Sequence, residues 1–462
     1  MVAAEQAVFD AGVSVDALML HAGQAAGEMI WRIGGNKPTL VLCGPGNNGG
    51  DGYVIAQFLQ GKGAAVTVGA LADPTTDAAR GARARYAGKV IALADAAPHV
   101  QVVDCLFGSG LTRPIDAATW AVFARLVASA SRSFAIDLPS GADADRAVWL
   151  NDPLPFDHVL ALGAWKYAHM LEPVASDCRS VSLIDIGVEA AGCAITRLAK
   201  PVIRAPDAQS HKYRRGLVVV LAGAMPGAAL LAARAAQGTG AGYVKILGEG
   251  PPPAALPADI VWLRADTADA AAQALADARI GAVLAGPGLG RDANSAALVD
   301  AALACPHPLV LDADALHLLG DRQAIVVSRK APTVLTPHHG EFLALVQGAG
   351  EVSEAPNKAF RAAWLADALR AHVLYKGADS VVAGPDGQVI IADRRCTWLS
   401  VAGTGDVLAG SIAARLANHG VALHAMAEAV WLHDRAARYA GPAFTAWQLA
   451  ETLPLALECC VE

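Results

Sequence analysis

Short runs of β-branched and other apolar residues alternate with Ala-rich helical segments along most of this chain. This alternation is typical of α/β proteins. Most of the runs lack polar residues at every second position, as expected for parallel strands that are covered on both faces. The sequence therefore predicts an α/β fold class. The first candidate strands are residues 39–43, 65–71, 100–106, 133–138, 158–163 and 180–186.

A second series of strands begins after a gap in this pattern. Strand-like runs are missing between residues 187 and 215, where Lys200-Pro201 and Ala205-Pro206 interrupt the chain. We therefore predict two domains, residues 1–205 and 206–462, which can be separated near residue 206. The candidate strands of the second series are residues 217–221, 243–247, 282–285, 309–311, 333–335, 373–375 and 381–383, with a hairpin turn at 384–387 leading to 389–392.

The composition excludes several classes of partner. The chain has 462 residues, 54% of them hydrophobic, and a net charge of -7. Its 36 Lys and Arg residues are scattered, which argues against nucleic acid and anionic membranes and favours small molecules. We find no basic leader and no run of about 18 uncharged apolar residues that would indicate export or a membrane span. The eight cysteines lack metal-ligand spacing, so we expect reduced thiols in a cytoplasmic protein, and we expect a homo-oligomer.

Residues 398–416, WLSVAGTGDVLAGSIAARL, predict a glycine-rich turn that opens a helix. We expect Asp406 to be the N-cap of this helix and Gly420 to end it. Residues 403–405 are small and leave the first N–H groups uncovered, so these groups and the helix dipole can bind a phosphate. Asp406 would then take a proton from a hydroxyl that attacks this phosphate. A capped turn without a ligand is the alternative.

The first candidate strand is followed by residues 44–52, GPGNNGGDG, which we expect to form a loop before a helix that begins near Tyr53. The loop contains the GxGxxG spacing of dinucleotide sites, and its glycines allow close backbone approach to a phosphate or ribose. Asn47, Asn48 and Asp51 add oxygens that suit sugar hydroxyls or a hard cation. No GKS or GKT follows, so this is not a Walker loop. A tight turn without a ligand is the alternative.

Two further carboxylates in this half follow candidate strands. Asp104 precedes CLFGSGL, and Asp137 precedes LPSG. Because ligands of open α/β sheets collect at the carboxyl ends of the strands, we expect both carboxylates and the 44–52 loop to face one crevice. A helix cap is the alternative role for each of them.

Together, GPGNNGGDG, VDCLFGSGL and IDLPSG resemble the NAD(P)HX epimerase domain, the N-terminal half of the bifunctional nicotinamide nucleotide repair family. The resemblance implies a Rossmann-like three-layer domain that binds hydrated NADH or NADPH, with Asp137 as the candidate acid/base. It also implies a potassium site formed by Asn48, Asp104 and Ser140. The substrate contacts that it implies are Asn47, Asn48, Gly49, Gly50, Asp51, Gly108, Ser109, Gly110, Leu111, Thr112, Arg113, Pro114 and Asp137.

The chain departs from this family at two points. Members commonly carry Asn before Ala-Gly in the first helix, where this chain has His21. The segment 142–157 after PSG is short. Lys166 falls where the family often has a lysine near the sugar or phosphate, and a solvated side chain is the alternative.

The second half carries HKYRRGLVVVLAG, GPGLG, LDADAL, TPHHGEF, YKGADS and AGTGDVLAG in this order. Their order and spacing resemble the ADP-dependent NAD(P)HX dehydratase, a ribokinase-like α/β domain. The resemblance implies that Ala228, Gly288 and His338 contact the substrate and that Asp406 meets it as a base. The nucleotide contacts that it implies are Lys376, Gly377, Ala378, Asp379, Ser380 and Gly405.

Some residues in these motifs have simpler interpretations. His339 stands where the dehydratase family usually has Pro, which restores a backbone N–H. Asp312 and Asp314 could cap a helix, and Glu341 could be a solvated loop acid. His433 is predicted to be structural.

The two resemblances imply one sequence of reactions. The first domain would interconvert the R and S hydrates NADHX and NADPHX, and the second would restore the cofactor from the S hydrate with ADP and magnesium. A ribokinase-like vitamin or pyrimidine kinase fused to a dinucleotide-binding domain is an alternative that turnover with ATP would favour. A non-catalytic dinucleotide or RNA-scaffold role for the first domain is another, and failure to bind potassium would favour it.

Overall fold

A computed structural model describes residues 2–188, 193–254, 256–347, 352, 355–392 and 396–462. The chain divides into two compact units, Met1–Cys193 and Ala194–Glu462, which we call the first and second domains. This division precedes residue 206, because Ile195–Arg197 is a strand that pairs with Val389–Ile391 of the second domain. The expectation that residues 187–215 contain no strand is therefore wrong. The proposed cut at residue 206 stays a prediction.

The first domain is built on a seven-stranded parallel sheet, so the predicted α/β class is confirmed for this half. The strand order is β3-β2-β1-β4-β5-β8-β9, and β6 and β7 form a separate antiparallel pair. The elements are α1 (Val2–Asp10), α2 (Val15–Gly34), β1 (Thr39–Cys43), α3 (Asn47–Gly61), β2 (Val66–Ala70), α4 (Asp77–Arg85), β3 (Lys89–Ala92), β4 (Gln101–Cys105), α5 (Ala117–Ser129), β5 (Arg132–Ile136), β6 (Ala142–Asp143), β7 (Val148–Trp149), β8 (Phe156–Leu162), α6 (Val174–Asp177) and β9 (Cys178–Ile184).

The second domain has a ten-stranded sheet that is parallel except at two adjacent pairs, β17 with β18 and β18 with β19. Its order is β10-β19-β18-β17-β16-β15-β14-β11-β12-β13. The elements are β10 (Ile195–Arg197), β11 (Leu217–Leu221), α7 (Pro226–Gly238), β12 (Tyr243–Gly248), β13 (Val261–Arg264), α8 (Ala268–Ala274), β14 (Ile280–Ala285), α9 (Ala293–Ala304), β15 (Leu309–Leu311), α10 (Ala313–His317), α11 (Gln323–Ser328), β16 (Thr333–Leu335), α12 (His339–Leu345), α13 (Lys358–Leu369), β17 (His372–Tyr375), β18 (Val381–Ala383), β19 (Val389–Ile391), α14 (Thr404–His419), α15 (Ala422–Ala440) and α16 (Ala446–Glu458).

Both sheets reverse their strand order at a central strand. In the first sheet the reversal lies between β1 and β4, and in the second it lies between β11 and β14. A glycine follows the central strand in each case. A Cβ at Gly44 would lie 1.8 Å from Leu106 O, and a Cβ at Gly223 would lie 1.9 Å from Leu289 O. The two loops at each reversal are therefore in backbone contact. Ligands of α/β sheets bind in the crevice at such a reversal of strand order.

The core of each domain lies between these central strands and the helices packed on them. All five residues of β1, β4 and β11 are buried. Helix α14 packs on α7 so closely that a Cβ at Gly410 would lie 2.0 Å from Ala232 O. The run of small residues in α14 therefore serves packing as well as the turn before it.

Two helix starts differ from the sequence-based expectations. Helix α3 begins at Asn47 and not near Tyr53, so most of the glycine-rich stretch is helical. Helix α14 begins at Thr404, its N-cap is Gly403 with φ 90°, and Asp406 lies in the first turn. Asp406 is thus not the N-cap that the sequence predicts. In the part of the chain that the structure describes, no helix combines the length and the hydropathy needed to cross a bilayer.

Candidate active sites

A cavity of about 730 Å³ lies at the reversal point of the first sheet. The start of α3 and the segment after β4 form one side of it, and apolar side chains of α1 and α2 form another. The predicted substrate contacts that line it are Asn47, Asn48, Asp51, Gly108, Ser109, Gly110, Leu111, Thr112, Arg113 and Asp137. The structure therefore brings the two glycine-rich motifs and a strand-end carboxylate to one ligand-sized space.

Three predicted contacts, Gly49, Gly50 and Pro114, are not among the described residues that line this cavity. Gly49 and Gly50 lie in the first turn of α3. A Cβ at Gly49 would lie 1.8 Å from Gly44 O, and a Cβ at Gly50 would lie 2.5 Å from the sulfur of Met19. Gly49 therefore allows α3 to start directly against the residue that follows β1, and Gly50 allows α3 to pack closely on α2. Both are packing requirements.

Asp137 is the most constrained carboxylate in the cavity wall. It follows β5 with φ 65°, a left-handed conformation that costs about 1 kcal/mol or more in a non-glycine residue. Lys166 Nζ donates a hydrogen bond to Asp137 Oδ1. The Ser109 N–H donates to Asp137 Oδ2 at 3.0 Å, and His169 Nε2 lies 2.6 Å from the backbone oxygen of Asp137. The carboxylate and its backbone are therefore both held in one orientation.

The charge state of Asp137 follows from these contacts. Burial alone would raise the pKa of the carboxyl, but the Lys166 ammonium and the hydrogen bonds outweigh it, so its pKa lies below the ordinary value. His169 is buried beside the same ammonium, and burial lowers its pKa to about 4. At neutral pH the cavity wall thus presents the Asp137 anion and the Lys166 cation, and the neutral His169 contacts the backbone of both residues.

The proposed potassium ligands lie beneath the same wall. Ser140 donates to Asp104 twice, from Oγ to Oδ1 at 2.7 Å and from N to Oδ2 at 2.7 Å. Burial raises the pKa of Asp104 to about 6 despite these bonds. Both polar atoms of the Asn48 amide are buried without a hydrogen-bond partner among the described residues. A Cβ at Gly108 would lie 3.5 Å from Asn48 Oδ1 and 3.0 Å from Asp137 Oδ2, so the Asn48 amide lies next to the Asp137 carboxylate.

Two residues behave differently from their sequence interpretations. Lys166 is 8% exposed and lies in the cavity wall, so the solvated alternative is wrong. His21 is exposed, and helix α2 faces the cavity through Leu18 and Met19 instead. The apolar spacing of α2 was the available signal for this wall, but spacing alone does not separate a cavity wall from a core.

The second candidate site lies at the start of α14. The N-cap Gly403 has no side chain to accept from the first N–H groups of the helix, which have no acceptors within the helix itself. A Cβ at Gly405 would lie 3.9 Å from Lys376 Nζ, so this lysine faces the first turn. The helix is fixed at its start, because His433 Nε2 lies 2.9 Å from Thr404 O. This contact fits the structural role predicted for His433.

Carboxylates surround Lys376 and Asp406. Lys376 Nζ lies 2.6 Å from Asp312 Oδ1 and 3.9 Å from Glu341 Oε2. Burial opposes the charge of Lys376, but these carboxylates prevail and raise its pKa. Burial and the Asp312 and Asp314 carboxylates raise the pKa of Asp406 to about 7, although Lys376 opposes this shift. Asp406 is therefore poised to exchange a proton near neutral pH.

The helix-cap alternative for Asp312 and the solvated alternative for Glu341 are wrong. Asp312 is the N-cap residue of α10, but its side chain makes no capping bond and pairs with Lys376 and with Thr336 Oγ1 at 2.6 Å. Glu341 is 5% exposed and forms a capping box with His338, accepting from His338 N at 2.8 Å. His338 itself is exposed at the start of α12. His339 Nδ1 lies 2.6 Å from the Tyr375 hydroxyl.

The other predicted contacts fall into two groups. Gly288, with φ 62°, lies against Ala228: a Cβ there would be 2.9 Å from Ala228 Cβ, so the structure brings these two positions together. Residues 376–380 form a loop after β17, in which Gly377 N donates to Ser380 Oγ at 3.2 Å. Lys358, which the sequence interpretation missed, lies 2.5 Å from Asp379 Oδ1 and donates to Lys376 O at 3.2 Å.

Comparison with known proteins decides the family. Residues 218–457 match the family model described as NAD(P)H-hydrate dehydratase, and residues 15–168 match the one described as YjeF-related protein N-terminus. A "Bifunctional NAD(P)H-hydrate repair enzyme Nnr" of Mycobacterium tuberculosis is 34% identical over 402 residues, which cover 85% of this chain and 81% of that one. The chain belongs to the family of bifunctional NAD(P)H-hydrate repair enzymes. A relative of the same name from Gloeobacter violaceus is 34% identical over 98% of this chain and 95% of its own.

Membership of the NAD(P)H-hydrate repair enzymes agrees with both halves of the fold. A ribokinase-like superfamily protein of Enterococcus faecalis is similar in structure to the second half, with a TM-score of 0.52 and 21% identity over 58% of this chain and 97% of that one. At this identity the likeness bears on the fold alone. The predicted fold class, with a YjeF-type first domain and a ribokinase-like second domain, is confirmed.

Proposed function

We propose that the chain repairs hydrated nicotinamide dinucleotides in two steps. The first domain interconverts the R and S forms of NADHX and NADPHX, and the second dehydrates the S form with ADP. The observation that carries this proposal is Asp406, whose pKa is raised to about 7 at the open start of a helix. A base in this state beside an anion site suits the transfer of a phosphoryl group to a hydroxyl.

In the second domain, Asp406 takes the proton of the ring hydroxyl while that oxygen attacks the phosphoryl group of ADP. The N–H groups of the first turn of α14 and the Lys376 ammonium stabilise the transferred group. The phosphoryl transfer releases AMP. Loss of phosphate from the ring carbon, together with a proton from the adjacent ring carbon, then forms the double bond of the restored cofactor. His338, Ala228 and Gly288 are the proposed substrate contacts of this domain.

The proposed nucleotide contacts are Gly405 and the loop 376–380. The loop is held by Lys358, so its backbone groups are fixed before a nucleotide arrives. Among the described residues no three His, Cys, Asp or Glu side chains converge on a metal position. We propose that magnesium is held mainly by the phosphates of ADP, whose charge it would neutralise.

In the first domain, Asp137 is the proposed acid/base, and Asn48, Asp104 and Ser140 are the proposed ligands of potassium. The donor set fits a hard monovalent cation, because the buried Asn48 amide has no hydrogen-bond partner among the described residues and burial raises the pKa of the Asp104 carboxyl. Bound potassium would supply a positive charge that keeps Asp104 ionised. The protein side chains, and not the ion, move the protons.

The remaining parts of the proposal concern the protein as a whole. We infer a cytoplasmic homo-oligomer whose partners are NADHX, NADPHX and ADP, without nucleic acid or membrane. All eight cysteines are free thiols, which agrees with a reducing compartment. Gel filtration with light scattering would test the oligomer.

The activity has a direct test in the recovery of NADH absorbance from mixed hydrate epimers. With ADP present, we expect recovery to proceed beyond the fraction of S hydrate in the mixture, because the first domain resupplies the S form. ATP in place of ADP measures the nucleotide preference. Absence of recovery with either nucleotide would refute the proposal, and phosphorylation of a vitamin or pyrimidine by ATP would favour a kinase.

A further inference from the structure

We propose that Lys166 is a second catalytic residue of the first-domain cavity. Its ammonium gives a proton to the ring nitrogen of the hydrate while the Asp137 carboxylate takes the proton of the adjacent hydroxyl, so that the ring opens and closes. This inference rests on the proposed epimerase function and assigns its proton donor.

The position of Lys166 carries the inference. The side chain is 8% exposed and lines the cavity together with Asp137 and Leu162. Its Nζ donates to Asp137 Oδ1 and, at 2.8 Å, to Leu162 O. An ammonium has three N–H donors, so these two contacts leave one donor for a molecule in the cavity. Removing both charges from water is costly, so the buried Lys166–Asp137 pair is a weak source of stability.

His169 fixes both partners of this pair. The Lys166 N–H donates to His169 Nδ1 at 3.0 Å, so Nε2 carries the ring proton and donates to Asp137 O at 2.6 Å. The neutral imidazole therefore connects the backbone of Lys166 to that of Asp137. Burial and the Lys166 charge lower the pKa of His169, so the ring stays neutral. The Ser109 N–H holds Asp137 Oδ2. An acid and a base are therefore held side by side with defined orientations.

The reaction balances with these two groups alone. The hydrate carries its hydroxyl on the carbon bonded to the ring nitrogen. Asp137 takes the hydroxyl proton, the electrons of that O–H bond form a carbonyl, and the carbon–nitrogen bond breaks with its electron pair moving to nitrogen. Lys166 protonates this nitrogen. Rotation about the adjacent carbon–carbon bond and the reverse steps close the ring with the opposite configuration and return both protons, without oxidation or reduction.

Electrostatics favour ring opening over loss of hydroxide. Loss of hydroxide would leave a cation on the ring beside the Lys166 ammonium, and like charges repel strongly where water is excluded. Ring opening instead leaves a neutral open-chain aldehyde, a neutral Asp137 and a neutral Lys166. At the open-chain intermediate, neither the substrate nor the two catalytic side chains carry a charge.

The test measures interconversion of separated R and S hydrates by the full chain, corrected for the rate without protein. Lys166→Met is expected to lower this rate by about 10²-fold to 10⁴-fold, the range for loss of a general acid. Lys166→Arg keeps the positive charge but cannot release a proton, so it is expected to stay equally slow. Lys62→Met, at a surface lysine of the same domain 3.6 Å from Glu28, is the matched control and should be unchanged.

The outcomes distinguish a failure of the proposed epimerase function from a failure of the role of Lys166. If the wild-type chain does not interconvert the hydrates, the proposed epimerase function fails. If it does, and Lys166→Met stays within about threefold of wild type, Lys166 is not catalytic. Recovery of near-normal rates in Lys166→Arg would reduce Lys166 to a positioning charge and overturn its role as proton donor. The arginine variant also decides the question if Lys166→Met fails to fold.

Isotopic water tests the ring opening separately. Opening breaks the carbon–nitrogen bond and keeps the carbon–oxygen bond, so heavy oxygen from water is expected to stay out of the substrate during epimerisation. Entry of the label at the rate of epimerisation would show loss of hydroxide and would overturn the proposed step.

Discussion

Asp137 in the first domain and Asp406 in the second each lie near a lysine, but the two lysines have different partners. Lys166 Nζ contacts Asp137 itself, whereas Lys376 Nζ lies 2.6 Å from Asp312. The pKa of Asp137 accordingly lies below its ordinary value, and that of Asp406 rises to about 7. Burial acts to raise both pKa values. For Asp137 the contact with Lys166 outweighs burial, whereas for Asp406 the neighbouring Asp312, which pairs with Lys376, adds to it.

The largest effect is expected for Asp406→Asn, which should slow dehydration in the second domain and leave the first domain unaffected. Asp406→Asn removes the proton acceptor at nearly constant size and, because Gly403 is the N-cap, does not remove a helix cap. Dehydration with ADP should fall by about 10²-fold to 10⁴-fold, while ADP affinity changes little. NADH recovery from the S hydrate measures this.

The first domain supplies the control for Asp406→Asn. Interconversion of R and S hydrates should continue at the wild-type rate, since it depends on other carboxylates. In the wild type, kcat/KM for dehydration should rise with pH through about 7, because Asp406 must lose its proton to act. Near-normal dehydration by Asp406→Asn would exclude it as the base.

The next largest effect should come from the proposed potassium site. Asp104→Ala removes the anionic ligand beside Ser140, so we expect epimerisation to slow by about 10-fold to 100-fold and its dependence on potassium to weaken. Asp95→Ala, at an exposed position of the same domain, is the control. Epimerisation that ignores both potassium and the Asp104 substitution would argue against the site.

The two aspartates should also differ in their effect on stability. The folded-state pKa of Asp406 is raised, so its contribution to stability is lost as pH rises from its ordinary pKa towards about 7. The folded-state pKa of Asp137 is lowered, so its contribution is present above its ordinary pKa and is lost as pH falls through the folded value.

Calorimetry above pH 7 tests this contrast. Asp406→Asn should stabilise the second domain by about 1–3 kcal/mol, since each pKa unit corresponds to about 1.4 kcal/mol. Asp137→Asn should destabilise the first domain by about 3 kcal/mol, because it leaves Lys166 buried without its counter-charge. If both substitutions changed the free energy of unfolding in the same direction, the proposed contrast between Asp137 and Asp406 would be wrong.

The smallest effect is expected on the stability of the second domain when the chain is cut between the domains. A cut near residue 206 should yield two soluble pieces, as the sequence predicts. A fragment that starts at residue 206 lacks β10 and the bridge between Ile203 and Val461, so we expect it to be about 1–2 kcal/mol less stable than one that starts at Ala194. Urea unfolding of the two fragments measures this, and equal midpoints would show that β10 contributes nothing.

The central strands β1 and β11 were predictable because they are runs of apolar residues, with Thr39 as the one polar residue. Thr39–Cys43 and Leu217–Leu221 begin and end where the sequence predicts. The edge strands β3 (Lys89–Ala92), β10 (Ile195–Arg197) and β13 (Val261–Arg264) were missed. They are short, only partly buried and carry charged residues, so their pairing depends on a neighbour that local sequence does not name.

The site residues were predictable as a set of motifs but not as a network. Gly-rich runs look like loops, so the helical starts at Asn47 and Thr404 were not expected. Lys166 could be solvated or buried on local grounds, and its partner Asp137 lies in another motif. Local sequence indicates that Asp312 caps a helix, but the strand order of the sheet places Lys376 beside it. Contacts between distant motifs arise from strand order, which spacing within a motif does not encode.

Strand β10 also bears on how the protein is made. Ile195–Arg197 is synthesised long before its partner strand Val389–Ile391. Strand β10 therefore stays unpaired through most of the synthesis of the second domain. The described strands of the first domain pair only with one another. The first domain can therefore fold while the second is still being translated. Chaperone binding to the nascent chain is therefore expected to concentrate on the segment that follows the first domain.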